Sequence, residues 1–303
     1  MRKSQWIAAG QTGRIADITG GEFVSDSVNN FYIISIEDKD YHQQTAGEIK
    51  SYLEKNEKCA RIVGSSTEID DLHWADMAIV LGGDGSVIQA AKHFAGKKVP
   101  ILGVNFGTLG FLTEVEREGI PEALDSILSG RYEVERRMAL AGRIENGDEP
   151  KDIGIAANEF IIGKRDVGHM ITTKVFIGDS LMDTYVADGI IISTPTGSTA
   201  YNLSAAGPIL VPGMEAMVIT PICPHSLNKR SIVVPADARL CVEVSQTKDI
   251  FQDEASIRCD GGVSWSLSTG DRIFIEKADV TFDMVRLGEV SFFDKMRSKL
   301  NRQ

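Results

Sequence analysis

Residues 77–85 read Met-Ala-Ile-Val-Leu-Gly-Gly-Asp-Gly, and Ser86-Val87-Ile88-Gln89-Ala90-Ala91-Lys92 follows with helical character. A short apolar run bounded by glycine is a buried strand. Glycines at a strand-to-helix junction let the backbone approach a ligand, and the helix N-terminus beyond them favours phosphate. Asp84 is the odd member, because a carboxylate repels the anion such a cradle would hold. Its presence points to chemistry as well as binding. Two better-known phosphate motifs fail here. A dinucleotide fingerprint beginning at Gly83 needs glycine at 88, which is Ile88, and a P-loop needs Gly-Lys-Ser/Thr, which occurs nowhere in the chain.

Outward from this turn, strands alternate with helices. The pattern predicts strands at 31–36, 59–64 and 77–81, helices around 41–55 and from the glycine turn to about Phe94, then an apolar run at 99–104. A further helix at 119–129 is stopped by Gly130. Such alternation implies βαβ units and a parallel sheet. The run 99–104 leads into a second glycine cluster, 103–113, so two flexible turns fall on one sheet edge. The carboxyl ends of parallel strands are where such sheets bind ligands.

The character changes near 131. Strand-like stretches at 153–162, 170–177, 181–194, 231–234, 239–245 and 256–260 are separated by Gly, Asp, Asn and Pro, and 177–180 reads as a hairpin turn. The fold class expected is therefore an α/β N-terminal domain with a parallel, Rossmann-like sheet, plus a mostly β, sandwich-like C-terminal domain. The expected division is an N-terminal extension at 1–30 with no assignable role, an α/β domain at 31–135, a β-rich domain at 136–280, and a C-terminal helix at 281–303 packing back, on the N-terminal domain.

In the second domain Asn158-Glu159 interrupts an apolar strand, and buried polar residues need partners. The block 188–212 runs from a buried-type strand into Thr194, Thr196, Ser198 and Thr199, then a single tyrosine, Tyr201. It offers many short hydrogen-bonding groups and contains no G-x-S-x-G elbow, which argues against a hydrolase serine. Asp260-Gly261-Gly262 reads as a hairpin turn. The five histidines have no metal-ligand spacing, and no metal ligand is assignable.

A net charge of −11 over 303 residues argues against non-specific nucleic-acid or anionic-membrane binding. No run of about 18 apolar residues exists, and the start lacks the apolar core of a signal peptide. Four scattered cysteines suggest reduced, mostly buried thiols. A cytoplasmic protein is expected.

With these residues assembled, the chain resembles the NAD kinase family over about residues 75–265. The ordered set is G-G-D-G at 82–85, N-x-G-x-L-G-F-L-T at 105–113, Asn158-Glu159, His169-Met170, D-G-I-I-I-S-T-P-T-G-S-T-A-Y-N-L-S-A-A-G-P-I-L at 188–210, and P-I-C-P-H-S-L at 221–227. The resemblance implies transfer of the ATP γ-phosphoryl group to the 2′-hydroxyl of the adenosine ribose of NAD, with Mg2+ or Mn2+ and with polyphosphate as an alternative donor. It makes Asp84 the general base, with Gly82, Gly83 and Gly85 admitting phosphate. Asn158 and Glu159 would hold NAD. Phe111, His169, Val186, Asp188, Thr199, Ala200, Tyr201, Asn202, Leu203 and Ser204 would line its site. Asp188 would act on the NAD of a neighbouring subunit, implying a homodimer or homotetramer. Two positions depart from the family pattern. Ser86 stands for the commoner Thr, and Val186 stands where Arg or another polar residue is frequent, which leaves the choice between NAD and NADH open. The competing readings are a lipid kinase sharing the G-G-D-G turn and a non-catalytic NAD(P)-sensing module.

Overall fold

The structure, a computed structural model, describes residues 22–23, 28–35, 40–107, 110–147, 149–165, 169–245, 255–288 and 290–301, without the side chains of 22–23 and 40–42. Most of the N-terminal extension and Thr108-Leu109 of the second glycine cluster lie outside these residues.

The apolar run at 77–81 forms the strand Met77–Leu81, buried at every position. It pairs in parallel with Asn30–Ser35 on one side and Ile101–Asn105 on the other, and Cys59–Val63 adds a further parallel strand beyond Asn30–Ser35. Strand side chains alternate between faces, so each strand feeds two cores. Met77, Ile79 and Leu81 pack with Ile49 and Leu53 of the helix Asp40–Lys55 and with Leu124 of the helix Ile120–Leu128. Ala78 and Val80 point the other way, onto Val87, Ala91 and Phe94 of the helix Asp84–Phe94. Burial on both faces explains why Asn30–Ser35, Met77–Leu81 and Ile101–Asn105 read as apolar runs, whereas the edge strand Cys59–Val63 is partly exposed.

Two long antiparallel strands, Glu133–Glu145 and Arg272–Arg286, carry the sheet onward. The second also pairs in parallel with the N-terminal sheet at Met284↔Ile101, so one twelve-stranded sheet runs through both halves of the chain. A second sheet of six antiparallel strands covers its C-terminal part, in the order Ile232–Pro235, Ala216–Ile222, Gly189–Ser193, Glu159–Lys164, Ala255–Cys259 and Ser264–Leu267. Phe160, Ile162, Ile190, Ile192, Val242 and Val244 fill the core that joins the two sheets.

Two expected strands are each broken by a corner. The run 153–162 is Lys151–Ala156 in the large sheet and Glu159–Lys164 in the small one. The run 181–194 is Ser180–Ala187 at the edge of the large sheet and Gly189–Ser193 in the small one. The chain changes sheet at Ala157–Asn158 and again at Asp188, so Asn158 lies in a corner rather than within a strand. Apolar periodicity continues through both corners because both sheets face the same core. Four cysteines are free; Cys241 and Cys259 are buried, whereas Cys59 and Cys223 are exposed. No helix among the described residues is long and apolar enough to cross a membrane.

Candidate active site

The strand Met77–Leu81 ends at Gly82, where φ is +157° and a Cβ would lie 2.6 Å from Ser86 Oγ. Gly82 is therefore needed by the turn itself. Gly83 and Gly85 are different. A Cβ at either would meet nothing within 4 Å, so internal packing does not require glycine there. They flank the start of the helix Asp84–Phe94, which has no side-chain cap. Open space beside an uncapped helix N-terminus suits a phosphate group.

Asp84 is half-buried in the first turn of that helix. Phe111 N–H donates to its Oδ2 at 2.9 Å and Leu112 N–H to its Oδ1 at 3.1 Å. The carboxylate thus seats the second glycine cluster against the first. Gly110 makes the approach possible: a Cβ there would overlap Oδ1 and stand 2.5 Å from Cγ. Gly110 N–H donates to Thr113 Oγ1 at 2.9 Å, closing the turn.

The second centre is the corner at Ala157–Glu159. Asp260 Oδ2 accepts from Ala157 N–H, and Oδ1 accepts from Asn158 and Glu159 N–H, at 2.8, 2.8 and 3.0 Å. Asp260 sits at φ +48° in a turn with Gly261 between the strands Ala255–Cys259 and Ser264–Leu267. The turn was legible in the sequence; its side chain's three distant amides were not. Lys92, from the far end of the helix that begins at Asp84, reaches the same place. Its Nζ lies 3.6 Å from Asp260 Oδ2 and donates to Cys259 Sγ at 3.2 Å. One helix therefore links both turns.

Glu159 is 5% exposed, and its Oε2 has no hydrogen-bond partner. Burial, with a smaller contribution from the nearby Asp260 carboxylate, pushes its carboxyl up to about 8. A buried acceptor without a partner is costly unless a ligand completes it.

The block 193–210 docks on this corner. Thr194 N–H and Oγ1 donate to the carbonyls of Asn158 and Ala157, at 2.8 and 2.7 Å. A Cβ at Gly197 would stand 2.6 Å from the Asn158 carbonyl carbon. The buried polar residues of the block hold the block together. Ser198 Oγ donates to Pro195 carbonyl and accepts from Leu210 N–H, at 2.6 and 3.0 Å. Asn202, fully buried, donates to the Ser198 and Pro208 carbonyls and accepts from Thr220 Oγ1. Thr199, Ala200, Tyr201, Leu203 and Ser204 stand on the accessible side.

The remaining candidates gather elsewhere. Register pairs Ser193 with Glu159 and Gly189 with Gly163, so Asp188 lies at the opposite end of that strand pair from Glu159. Five residue steps of strand separate them, about 17 Å. Lys164 Nζ donates to Asp188 Oδ1 at 2.6 Å. The pair Ile171↔Ala187 places His169, which is exposed, and Val186 near the same corner. No group of three or more His, Cys, Asp or Glu among the described residues converges as a metal cage.

Comparison with known proteins follows the same division. Residues 23–132 match the model of the ATP-NAD kinase N-terminal domain, and residues 157–287 match that of the ATP-NAD kinase C-terminal domain. An NAD kinase of Lachnoclostridium phytofermentans is 38% identical over 281 residues, covering 90% of this chain and 99% of that protein. One from Geobacter metallireducens is 40% identical over 270 residues, covering 85% and 93%. Two solved structures share the fold. Yeast NADH kinase complexed with NADH has a TM-score of 0.82 at 22% identity, covering 93% of this chain and 92% of that one. An NAD kinase from Archaeoglobus fulgidus in complex with ATP has a TM-score of 0.69 at 24% identity, covering 91% and 99%.

Proposed function

The chain belongs to the NAD kinase family, and we propose that it transfers the γ-phosphoryl group of ATP to the 2′-hydroxyl of the adenosine ribose of NAD, giving NADP and ADP. The observation that carries this reading is the pair Gly83 and Gly85, open on both sides of a carboxylate at a helix N-terminus. The labour divides between the α/β half, 31–135, which takes the triphosphate, and the β-rich half, 136–280, which takes NAD.

A sugar hydroxyl is a weak nucleophile, so its proton must be removed as it attacks. Asp84 is the base. Each of its oxygens accepts one backbone amide, and a carboxylate has about four acceptor sites, so capacity remains for the ribose hydroxyl. The amide bonds fix the carboxylate's orientation, which matters because phosphoryl transfer depends on positioning and charge stabilisation. The donor set suits Mg2+ or Mn2+ that arrives with the triphosphate, since these ions are commonly held by one or two carboxylates plus substrate phosphates. Such an ion would neutralise triphosphate charge beside Asp84.

Asn158 and Glu159 hold the nucleotide, with Glu159 Oε2 the acceptor that a ribose hydroxyl completes. Thr199, Ala200, Tyr201, Leu203 and Ser204 line the accessible face, and Asn202 keeps that face in shape. His169, Val186 and Asp188, gathered at the opposite corner, act on the NAD of a neighbouring subunit in a homodimer or homotetramer.

The test is a coupled assay of purified protein with NAD or NADH as acceptor and ATP or polyphosphate as donor. NADP formation from NAD, ATP and magnesium is the expected result. Binding of NAD by calorimetry without turnover would replace the kinase reading with that of a sensing module.

A further inference from the structure

The turn that seats Asp84 is held from its other side by the C-terminal helix, Phe292–Leu300. Lys295, 182 residues along the chain from Thr113, donates through Nζ to the Thr113 carbonyl at 2.7 Å and to Glu114 Oε2 at 2.8 Å. Its side chain is 1% exposed and that of Glu114 3% exposed. Arg286 adds a hydrogen bond to Glu114 Oε2 at 2.5 Å, and Leu287 N–H donates to Glu114 Oε1 at 3.1 Å. The same helix touches the turn's aromatic residue. Phe292 packs on Phe111 with ring centroids 6.2 Å apart, and Lys299 Nζ lies 5.2 Å from the Phe111 centroid. A capping box between Ser291 and Asp294 fixes where the helix starts.

An ammonium group is costly to bury unless it is paired and hydrogen-bonded. A helix that only covered apolar surface would carry Leu or Met at this position. Lys295 is instead aimed at a backbone carbonyl of the turn that bonds Asp84. Burial holds it below the ordinary lysine range, with Glu114 pulling the other way.

We propose that Lys295 is a positioning residue for phosphoryl transfer. Through the Thr113 carbonyl and the Glu114 carboxylate it fixes the 110–114 turn, whose Phe111 and Leu112 amides orient Asp84. This rests on the reading of Asp84 as the base of an NAD kinase. Displacement of a reacting group by ~1 Å costs about 10²-fold in rate. The corner at 157–159 and the block 193–204 have their own anchors, so the effect falls on kcat rather than on the KM for NAD.

The experiment measures kinetics together with amide hydrogen exchange at Phe111 and Leu112, in the full chain, for Lys295→Met and for Glu114→Gln/Lys295→Met. Glu114 keeps Arg286 and the Leu287 amide in the single variant, and the double variant also removes the carboxylate charge that Lys295 balanced, so it keeps the test alive if the single variant does not fold. Leu53→Ala, a core truncation across the sheet, is the control for general loss of stability. Expected are exchange at both amides faster by about tenfold or more and kcat lower by roughly 10- to 100-fold, with the KM for NAD within about threefold, in line with the cost of misplacement. Leu53→Ala should lower stability with kcat unchanged. Wild-type exchange and kcat in a folded Lys295 variant would overturn the proposal, as would an equal kcat loss in Leu53→Ala. Were the wild-type protein to make no NADP, the catalytic reading would fall with it; unchanged exchange alone would overturn the clamp.

Discussion

Asp84 and Asp260 do the same thing in the two halves of the molecule, with opposite outcomes for chemistry. Each carboxylate gathers backbone amides of a distant turn: Phe111 and Leu112 for Asp84, and Ala157, Asn158 and Glu159 for Asp260. Asp260 is closed off, with a side chain 2% exposed and Lys92 beside it. Asp84 is half-buried between two glycines that leave open space. The device orients a turn in both places, but of the two only Asp84 keeps an open side. With Asp84 proposed as the base, the acid that positions and the acid proposed to react differ in access, not in their backbone bonds.

Asp84→Asn is the harshest test of that difference. Removing a general base lowers kcat by about 10²- to 10⁴-fold. Asparagine also presents an NH2 group to one of the two amide donors, leaving that donor without an acceptor at about 1–3 kcal/mol. Steady-state kinetics should show the rate loss, and calorimetry should show NAD still bound. Near wild-type turnover would make Asp84 a turn cap like Asp260 and erase the distinction. Gly110→Ala attacks the seat while sparing the carboxylate. Because the new Cβ overlaps Asp84 Oδ1, the turn or the carboxylate must shift, with kcat falling about 10²-fold. An alanine variant with wild-type kcat would show that the seat is dispensable.

The parallel half was legible because its central strands are buried on both faces and Met77–Leu81 stops at glycines. Met77–Leu81 occupies the residues its apolar run marks. The β-rich half was legible in composition but not at its corners. Apolar periodicity carries through Asn158 and Asp188 while the chain changes sheet, since both sheets supply one core. The long strands Glu133–Glu145 and Arg272–Arg286 mix charged residues into their pattern, which hides them as single elements. Asp84 announces itself by its local glycines. The meaning of Asp260 is set by amides 101 to 103 residues away, and that of Lys295 by a carbonyl 182 residues away, so no window of sequence contains either. Lys92 reads as an ordinary helix-surface lysine until the fold brings Asp260 to it.

Asp260→Asn probes the closed member of the pair. One of three amides loses its acceptor, and Lys92 loses its charged neighbour. The corner that presents Asn158 and Glu159 then loosens, so the KM for NAD should rise by about tenfold, the equivalent of 1.4 kcal/mol, with kcat changed by less than about threefold. A loss mainly in kcat would mean that Asp260 reaches the chemistry and that closure is no guide to role.

The mildest effect tests the field between Asp260 and Glu159. Glu159 is raised from 4.5 to about 8, first by burial and then by Asp260, so the folded protein holds a proton there that the unfolded chain releases above about 4.5. Its contribution to stability is complete below that lower value and is lost as pH rises through about 8. Urea unfolding of wild type against Glu159→Gln should therefore show the wild type losing stability relative to the variant across this window, by at most about 1.4 kcal/mol per pH unit. In Asp260→Asn the second cause is removed, so the loss should end at a lower pH. NAD binding adds an independent readout. If a ribose hydroxyl donates to Glu159, binding favours the ionised form, and NAD association near neutral pH releases a proton. Calorimetry in buffers of different ionisation enthalpy would detect that proton in the wild type and not in Glu159→Gln. Proton uptake instead would mean that neutral Glu159 is the donor, and the carboxyl would then read the nucleotide in the reverse sense.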